Sequence, residues 1–172
     1  DQLTVYLERT NGKLLYNPGT FQIKNGVKKA PRLLSLTELF IVNKEEAKII
    51  LGFDEGENVS IKKLLEKLTD LGSRMAVITD GVEGSYGFDG ETHYQIGTFP
   101  AKLLEMTGAG DAFATGVLAG FFHGNDLPEA MRWGATNGAS VVEQVGPQAG
   151  LLTLHGMQEA LKENSKIMAK EI

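Results

Sequence analysis

The segment Thr107-Gly108-Ala109-Gly110-Asp111 combines residue types suited to chemistry on an anion. Small, permissive residues let backbone N–H groups converge on an oxyanion. The apolar run from Ala112 to Ala119 reads as a helix whose positive dipole end strengthens that attraction. A carboxylate at the mouth of such a turn is unfavourable for passive phosphate binding, because two anions would meet there. It is favourable if Asp111 removes a proton from the group that attacks the phosphate. The spacing therefore predicts phosphoryl transfer with Asp111 as the base. An Asp in a first helical turn also has an ordinary explanation, a dipole contact of about 0.3–1 kcal/mol, but that leaves Gly108-Ala109-Gly110 without a reason. Two other glycine motifs are excluded. A dinucleotide fingerprint needs Gly where Phe113 stands, and no G-x-x-x-x-G-K-[ST] occurs.

Weaker candidates surround this turn. Thr79-Asp80-Gly81-Val82-Glu83-Gly84 offers a hydroxyl and two glycines that suit the edge of a nucleotide phosphate or ribose, and equally a plain turn into a hairpin. Asn43-Lys44-Glu45-Glu46 has the spacing of a capping box at the start of an apolar-periodic helix. The same Asn43 and Glu46 suit a hydrated Mg²⁺, an ion that keeps several of its waters, and the two roles are compatible. Asn137 lies among Gly134, Ala135, Thr136, Gly138, Ala139 and Ser140, small residues that admit either a flat base or a close neighbouring helix. Asn17-Pro18-Gly19 reads as a turn. His93, His123 and His155 lack ligand spacing, and Trp133, Phe121 and Phe122 read as core.

The elements that must position these residues alternate between strand and helix. Residues 2–9 read as a helix, 13–16 as a strand, and 26–34 as a helix. Leu39–Val42 is a buried strand leading into a helix that stops near Gly52, and 61–71 is an amphipathic helix. Met75–Thr79 is a second buried strand, and 85–88 with 92–96 flank the hairpin signal Asp89-Gly90. Helices follow at 111–123, 128–142 and 154–170. This order predicts an α/β fold with a mostly parallel sheet flanked by helices. Asn17, Asn43 and Thr79 each follow or end a predicted strand, where ligands bind in such sheets.

Composition limits the remaining choices. The chain has 172 residues, 42% hydrophobic and 23% charged, which fits one globular domain with a substantial core. Glycine is high, 21 of 172 or 12% against an average of about 7%, consistent with tight turns and close backbone approaches. A net charge of −5 without a Lys/Arg block argues against nucleic acid as a partner. No apolar run reaches the length of about 20 residues that a membrane span needs. The absence of cysteine excludes disulfides and thiolate metal sites and suits the cytoplasm. The chain begins at Asp1 rather than Met, so a preceding segment is expected.

Together these motifs resemble the PfkB-type, ribokinase-like carbohydrate kinases. Thr107-Gly108-Ala109-Gly110-Asp111-Ala112-Phe113 is similar to that family's second signature. Asn17-Pro18-Gly19, Asn43-x-x-Glu46 and Thr79-x-Gly81-x-x-Gly84 occur in the family's order, and the likeness runs from about Asn17 to Leu154. The resemblance implies a ribokinase-like fold and an ATP-dependent kinase acting on a sugar or nucleoside. Asp111 would be the general base, and the Gly108, Ala109 and Gly110 amides the anion hole. Asn43 and Glu46 would organise Mg²⁺, while Thr79, Gly81 and Gly84 would border the nucleotide with Asn137 near its adenine. Family members often bind a monovalent cation through carbonyls near the turn and in the loop matching 145–150. Here Glu105-Met106 stands where the family usually has Asp-Thr.

The resemblance also implies that residues 1–172 form the nucleotide-binding, C-terminal portion of the kinase domain. The N-terminal half, with most sugar contacts and the lid, is not represented, and an exposed sheet edge open to self-association is expected. The alternatives are a non-catalytic nucleotide-binding module or inactive kinase fragment and, against the spacing at Phe113, a methyltransferase or dehydrogenase.

Overall fold

The structure, a computed structural model, describes residues 2–54 and 56–172. Its elements run α1 (Gln2–Thr10), β1 (Leu14–Tyr16), α2 (Thr20–Asn25), α3 (Pro31–Leu34), β2 (Thr37–Asn43), α4 (Lys44–Leu51) and α5 (Ile61–Thr69). They continue as β3 (Met75–Thr79), β4 (Ser85–Phe88), β5 (His93–Ile96), α6 (Ala109–Phe122), α7 (Leu127–Val142), α8 (Leu154–Glu163) and β6 (Lys170–Glu171). The strands make a six-stranded sheet in the order β1-β2-β3-β4-β5-β6. It is mixed, with β1, β2 and β3 parallel and β5 and β6 antiparallel. The chain divides into two compact units. One holds the residues up to Thr79 together with Tyr86–His93, the other Asp80–Ser85 and Tyr94–Ile172.

In the first unit, β2 and β3 are buried nearly throughout, as expected of strands covered on both faces. Their register pairs Leu39 with Met75 and carries on to Asn43 opposite Thr79, so two polar residues end adjacent parallel strands side by side. Phe40, Val42, Ala76 and Ile78 join Leu64, Leu65 and Leu68 of α5 in one core cluster. Helix α4 starts at the Asn43 cap and stops at Gly52, whose φ of 83° is a conformation that glycine adopts without strain. The segment expected as a single helix over 26–34 is broken. Gly26 has φ 92°, and Pro31 lacks the N–H a continuous helix would use, so a 3-10 turn at Val27–Lys29 and α3 replace it, after α2 has already ended at Asn25.

The second unit is built on the α6–α7 pair. Small residues let the two backbones nearly touch. A Cβ at Gly120 would lie 2.8 Å from the Ala130 Cα, and one at Gly134 would lie 2.6 Å from Val117 Cγ2. Trp133 is buried with Met157 and Leu161 of α8. Phe122, expected in the core, is instead 86% exposed, because α6 turns that face away from α7 and α8. Helix α8 ends at Glu163, short of the expected 170, and Lys170 belongs to β6, paired with Gln95. The almost fully buried Arg132 explains the early stop. Its guanidinium donates to the carbonyls of Leu161 and Asn164 and, through Nε, to Ile167 at 2.8 Å. Carbonyls that a longer helix would use internally are thereby satisfied by a side chain. Among the described residues, no helix is long and apolar enough to cross a membrane.

Candidate active site

In the second unit, the Gly-rich turn leads directly into α6. Gly108 is its N-cap, with φ 84°, and a Cβ there would come within 2.6–2.9 Å of Pro147. Both the backbone conformation and the contact with Pro147 demand glycine at this position. Gly110 is different. It lies in the first turn of α6 without a positive φ, and a Cβ added to it would meet nothing within 4 Å. A residue that weakens a helix is therefore placed where the fold asks for no glycine. Space kept open above a backbone is what a closely approaching ligand requires.

The donors around this turn are unevenly used. Ala109 N–H donates to the Met106 carbonyl at 3.2 Å, and Ala112 N–H to that of Gly108 at 2.8 Å. Those of Gly108, Gly110 and Asp111 find no acceptor among the described residues. The open donors thus extend to Asp111 itself, whereas the sequence reading named Gly108, Ala109 and Gly110. Asp111 is exposed, and its carboxylate makes no hydrogen bond or ion pair among the described residues. The arrangement couples unsatisfied amides at a helix start to an open carboxylate, a combination able to hold an anion and accept a proton.

The turn is braced from one side by the end of α7 and the loop beyond it. The Val142 carbonyl accepts the N–H groups of Leu104 at 2.8 Å and Glu105 at 3.2 Å. Glu105 in turn accepts Gly146 N–H at 2.8 Å. Hydrogen bonds from the Thr107 hydroxyl and Gly146 N–H hold the Glu105 carboxyl below the usual glutamate range. Asn137, nearly fully buried on α7, donates from Nδ2 to the Ala112 carbonyl at 2.8 Å and accepts Leu152 N–H at 3.0 Å. Its side chain ties α6 to the 152 loop, a task that neither composition nor spacing signalled.

Gly81 and Gly84 also lie in this unit and have different reasons to be glycine. Gly84 has φ 90°, and a Cβ would fall 2.1 Å from the Ile96 carbonyl oxygen, so hairpin packing explains it. Gly81 has φ 53° with open space about it.

Asn43, Glu46 and Thr79 belong to the first unit. The capping box is present in full. Asn43 Oδ1 accepts Glu46 N–H at 2.8 Å, and Glu46 Oε2 accepts Asn43 N–H at 2.9 Å. Those two oxygens are occupied, but a carboxylate has further lone pairs, so the pair suits water-mediated contact to Mg²⁺ better than direct ligation. Among the described residues, no group of three or more His, Asp or Glu side chains could hold a metal by itself. Asn17, at the end of β1, donates to the Ile41 carbonyl at 2.8 Å and so serves strand packing.

An amide turn with an adjoining open carboxylate, set in an α/β chain, is an arrangement able to hold an anion. The chain belongs to the PfkB family of carbohydrate kinases, whose model, described as pfkB family carbohydrate kinase, matches residues 9–154. It is 26% identical over 136 residues to an uncharacterized sugar kinase of Archaeoglobus fulgidus, covering 79% of this chain and 52% of that protein. It is 32% identical over 133 residues to a 5-dehydro-2-deoxygluconokinase of Clostridium perfringens, covering 71% of this chain and 39% of the relative. The fold is similar to that of the Burkholderia thailandensis nucleoside kinase solved in complex with inosine. That match has a TM-score of 0.79 at 24% identity and covers 98% of this chain and 54% of the other. The chain thus spans about half the length, or less, of the curated relatives it matches.

Proposed function

We propose that this chain supplies the nucleotide-binding, base-bearing part of an ATP-dependent kinase for a hydroxyl of a sugar or nucleoside. The observation that carries the reading is Gly110 beside Asp111. An unforced glycine keeps the amide turn open at the point where an exposed carboxylate stands. The acceptor oxygen attacks the γ-phosphorus of ATP while its proton passes to the Asp111 carboxylate. The bond from the γ-phosphorus to the β,γ-bridging oxygen breaks, and ADP leaves. The open amides of Gly108, Gly110 and Asp111 hold the migrating phosphoryl oxygens, with Ala109 shaping the turn between them. Thr79, Gly81 and Gly84 border the nucleotide, and Asn137 fixes the backbone near its adenine through its ties to Ala112 and Leu152. By the family resemblance, Asn43 and Glu46 would hold Mg²⁺ through its waters, and the ion would supply neutralisation of phosphate charge.

The kinase names of the relatives support this reading, and so does the resemblance of the turn to the family signature. A positioned base contributes about 10²–10⁴-fold, or roughly 3–5 kcal/mol of barrier. In a full-length protein containing this chain, Asp111→Asn is expected to leave Mg·ATP affinity within a few-fold and to lower turnover by about that factor. Unchanged turnover would remove Asp111 from the mechanism.

The second reading is a non-catalytic nucleotide-binding module, favoured by the chain's half-length span. Calorimetry of the chain with Mg·ATP, with and without ribose, fructose or adenosine, separates the two. We expect weak nucleotide binding and little phosphorylation from the chain alone. Strand β1 closes one end of the strand order, which supports self-association through its open edge. A monodisperse monomer in light scattering would overturn that.

A further inference from the structure

We propose that Glu105 is a positioning residue for the phosphate-binding turn, its carboxylate joining Thr107 on one side to Gly146 on the other so that Gly108 is held against Pro147. The inference rests on the reading of this turn as the phosphoryl site and deepens it. It assigns to a residue that touches no substrate the task of fixing the amides that do.

The geometry makes Glu105 the link between two loops far apart in sequence. The Val142 carbonyl at the end of α7 accepts both Leu104 and Glu105 N–H, which fixes the main chain where the side chain leaves it. From there Oε2 reaches Gly146 N–H at 2.8 Å. The Thr107 hydroxyl, one residue before the Gly108 cap, is close enough to the same carboxylate to help hold it below the usual glutamate range. Pro147 follows Gly146 and lies against Gly108, where even a methyl group would collide. Glu105 therefore holds the 146–147 backbone against the turn, and Thr107 holds the turn against Glu105.

The stakes are geometric, because amides that stabilise a migrating phosphoryl group act only when preorganised. Gly108 is in the left-handed region and Gly110 lacks neighbours, so neither residue stiffens the turn by itself. Charge-assisted hydrogen bonds are stronger than neutral ones, which suits a carboxylate to the task. Glu105→Gln keeps the shape and one acceptor but gives up the charge and the ability to receive both donors equally well.

The test is a double-mutant cycle on the 172-residue chain, with Glu105→Gln, Thr107→Val and the double variant, and Thr107→Ser as the conservative control. Each is titrated with Mg·ATP while the backbone amide signals of Gly108, Gly110, Asp111 and Gly146 are followed by NMR. Each of the first two variants is expected to bind about tenfold more weakly, and the double variant no worse than either, because residues acting as a unit do not add. Ligand-free signals of Gly108 and Gly146 should shift in both. Thr107→Ser, which keeps the hydroxyl, should restore wild-type affinity. Multiplicative losses, or wild-type affinity with unmoved ligand-free signals in Glu105→Gln, would overturn the proposal. A failure of the parent reading looks different, with wild-type amides at 108–111 that do not respond to Mg·ATP at all. Should Glu105→Gln fail to fold, the contrast between valine and serine at exposed Thr107 still decides.

Discussion

Gly116 of α6 lies so close to the main chain of Trp133 in α7 that a Cβ on the glycine would stand 2.7 Å from the Trp133 carbonyl oxygen. The next atoms it would meet are Gly134 Cα at 2.9 Å and Asn137 Cβ at 3.0 Å, so two of the three nearest atoms are backbone that cannot rotate aside. Accommodating even a methyl group means separating the helices that carry the turn and Asn137. Gly116→Ala is therefore expected to destabilise the chain by about 1–3 kcal/mol despite its gain in helix propensity. A urea titration that finds the variant as stable as the parent would show that the helices can part at no cost.

Much of this fold can be read from local signals. Asn43 with Glu46, and Gly52 as a stop, define α4 because capping is settled within a few residues. The apolar runs of β2 and β3 announce their burial directly. What escaped the sequence depends on contacts between distant residues. The end of α8 is decided by Arg132, some thirty residues earlier, and Phe122 is exposed because of how α6 rolls against α7. At the site, Asp111 and Gly110 stand out by type and spacing alone. The bond from Gly146 to Glu105 spans 41 positions, and the ties made by Asn137 look from sequence like ordinary helix composition. Gly116 and Gly108 also show that one residue type can be required by packing at one place and by conformation and packing together at another.

The capping box at the start of α4 predicts a measurable split between folding and binding. Asn43→Ala removes the acceptor for Glu46 N–H and should cost about 1 kcal/mol of stability, while Asn43→Ser should retain most of it. If Asn43 also organises hydrated Mg²⁺, the serine variant will still show a weaker Mg²⁺ dependence of nucleotide binding. Calorimetry of Asn43→Ser with ATP at varied Mg²⁺ checks this, and an unaltered dependence leaves capping as the residue's whole role.

Helix α1 is tied to α3 by Glu8, whose Oε1 accepts Arg32 Nε at 2.9 Å, while Oε2 faces the second guanidinium nitrogen. The hydrogen bond from Arg32 is the main reason the Glu8 carboxyl sits below its ordinary range, with the Arg32 charge adding to it. Because the folded value is depressed, the pair stabilises the fold above the unfolded glutamate value. That contribution disappears as pH falls through the depressed one. Both side chains are well exposed, so the effect is small. Glu8→Gln should lower the urea midpoint slightly near neutral pH and leave it equal to the parent's in strong acid. A gap between the two proteins that persists in acid would count against the ion pair as its source.

Gly110 offers the sharpest contrast with Gly116, since the same substitution is expected to act in opposite directions. A Cβ at Gly110 meets nothing, and its φ is not in the left-handed region, so Gly110→Ala should be neutral or stabilise by up to about 1 kcal/mol, as alanine does in helices. The methyl group would nonetheless project into the space beside the open amides and Asp111, where a phosphoryl group must come within hydrogen-bond distance of the backbone. Mg·ATP binding should therefore fall well below the parent's while the urea midpoint holds or rises. Loss of both together would mean that the glycine serves the fold in a way its surroundings do not reveal. Retention of both would mean that no ligand approaches this turn closely, and the phosphoryl reading of the segment from Gly108 to Asp111 would then fail along with it.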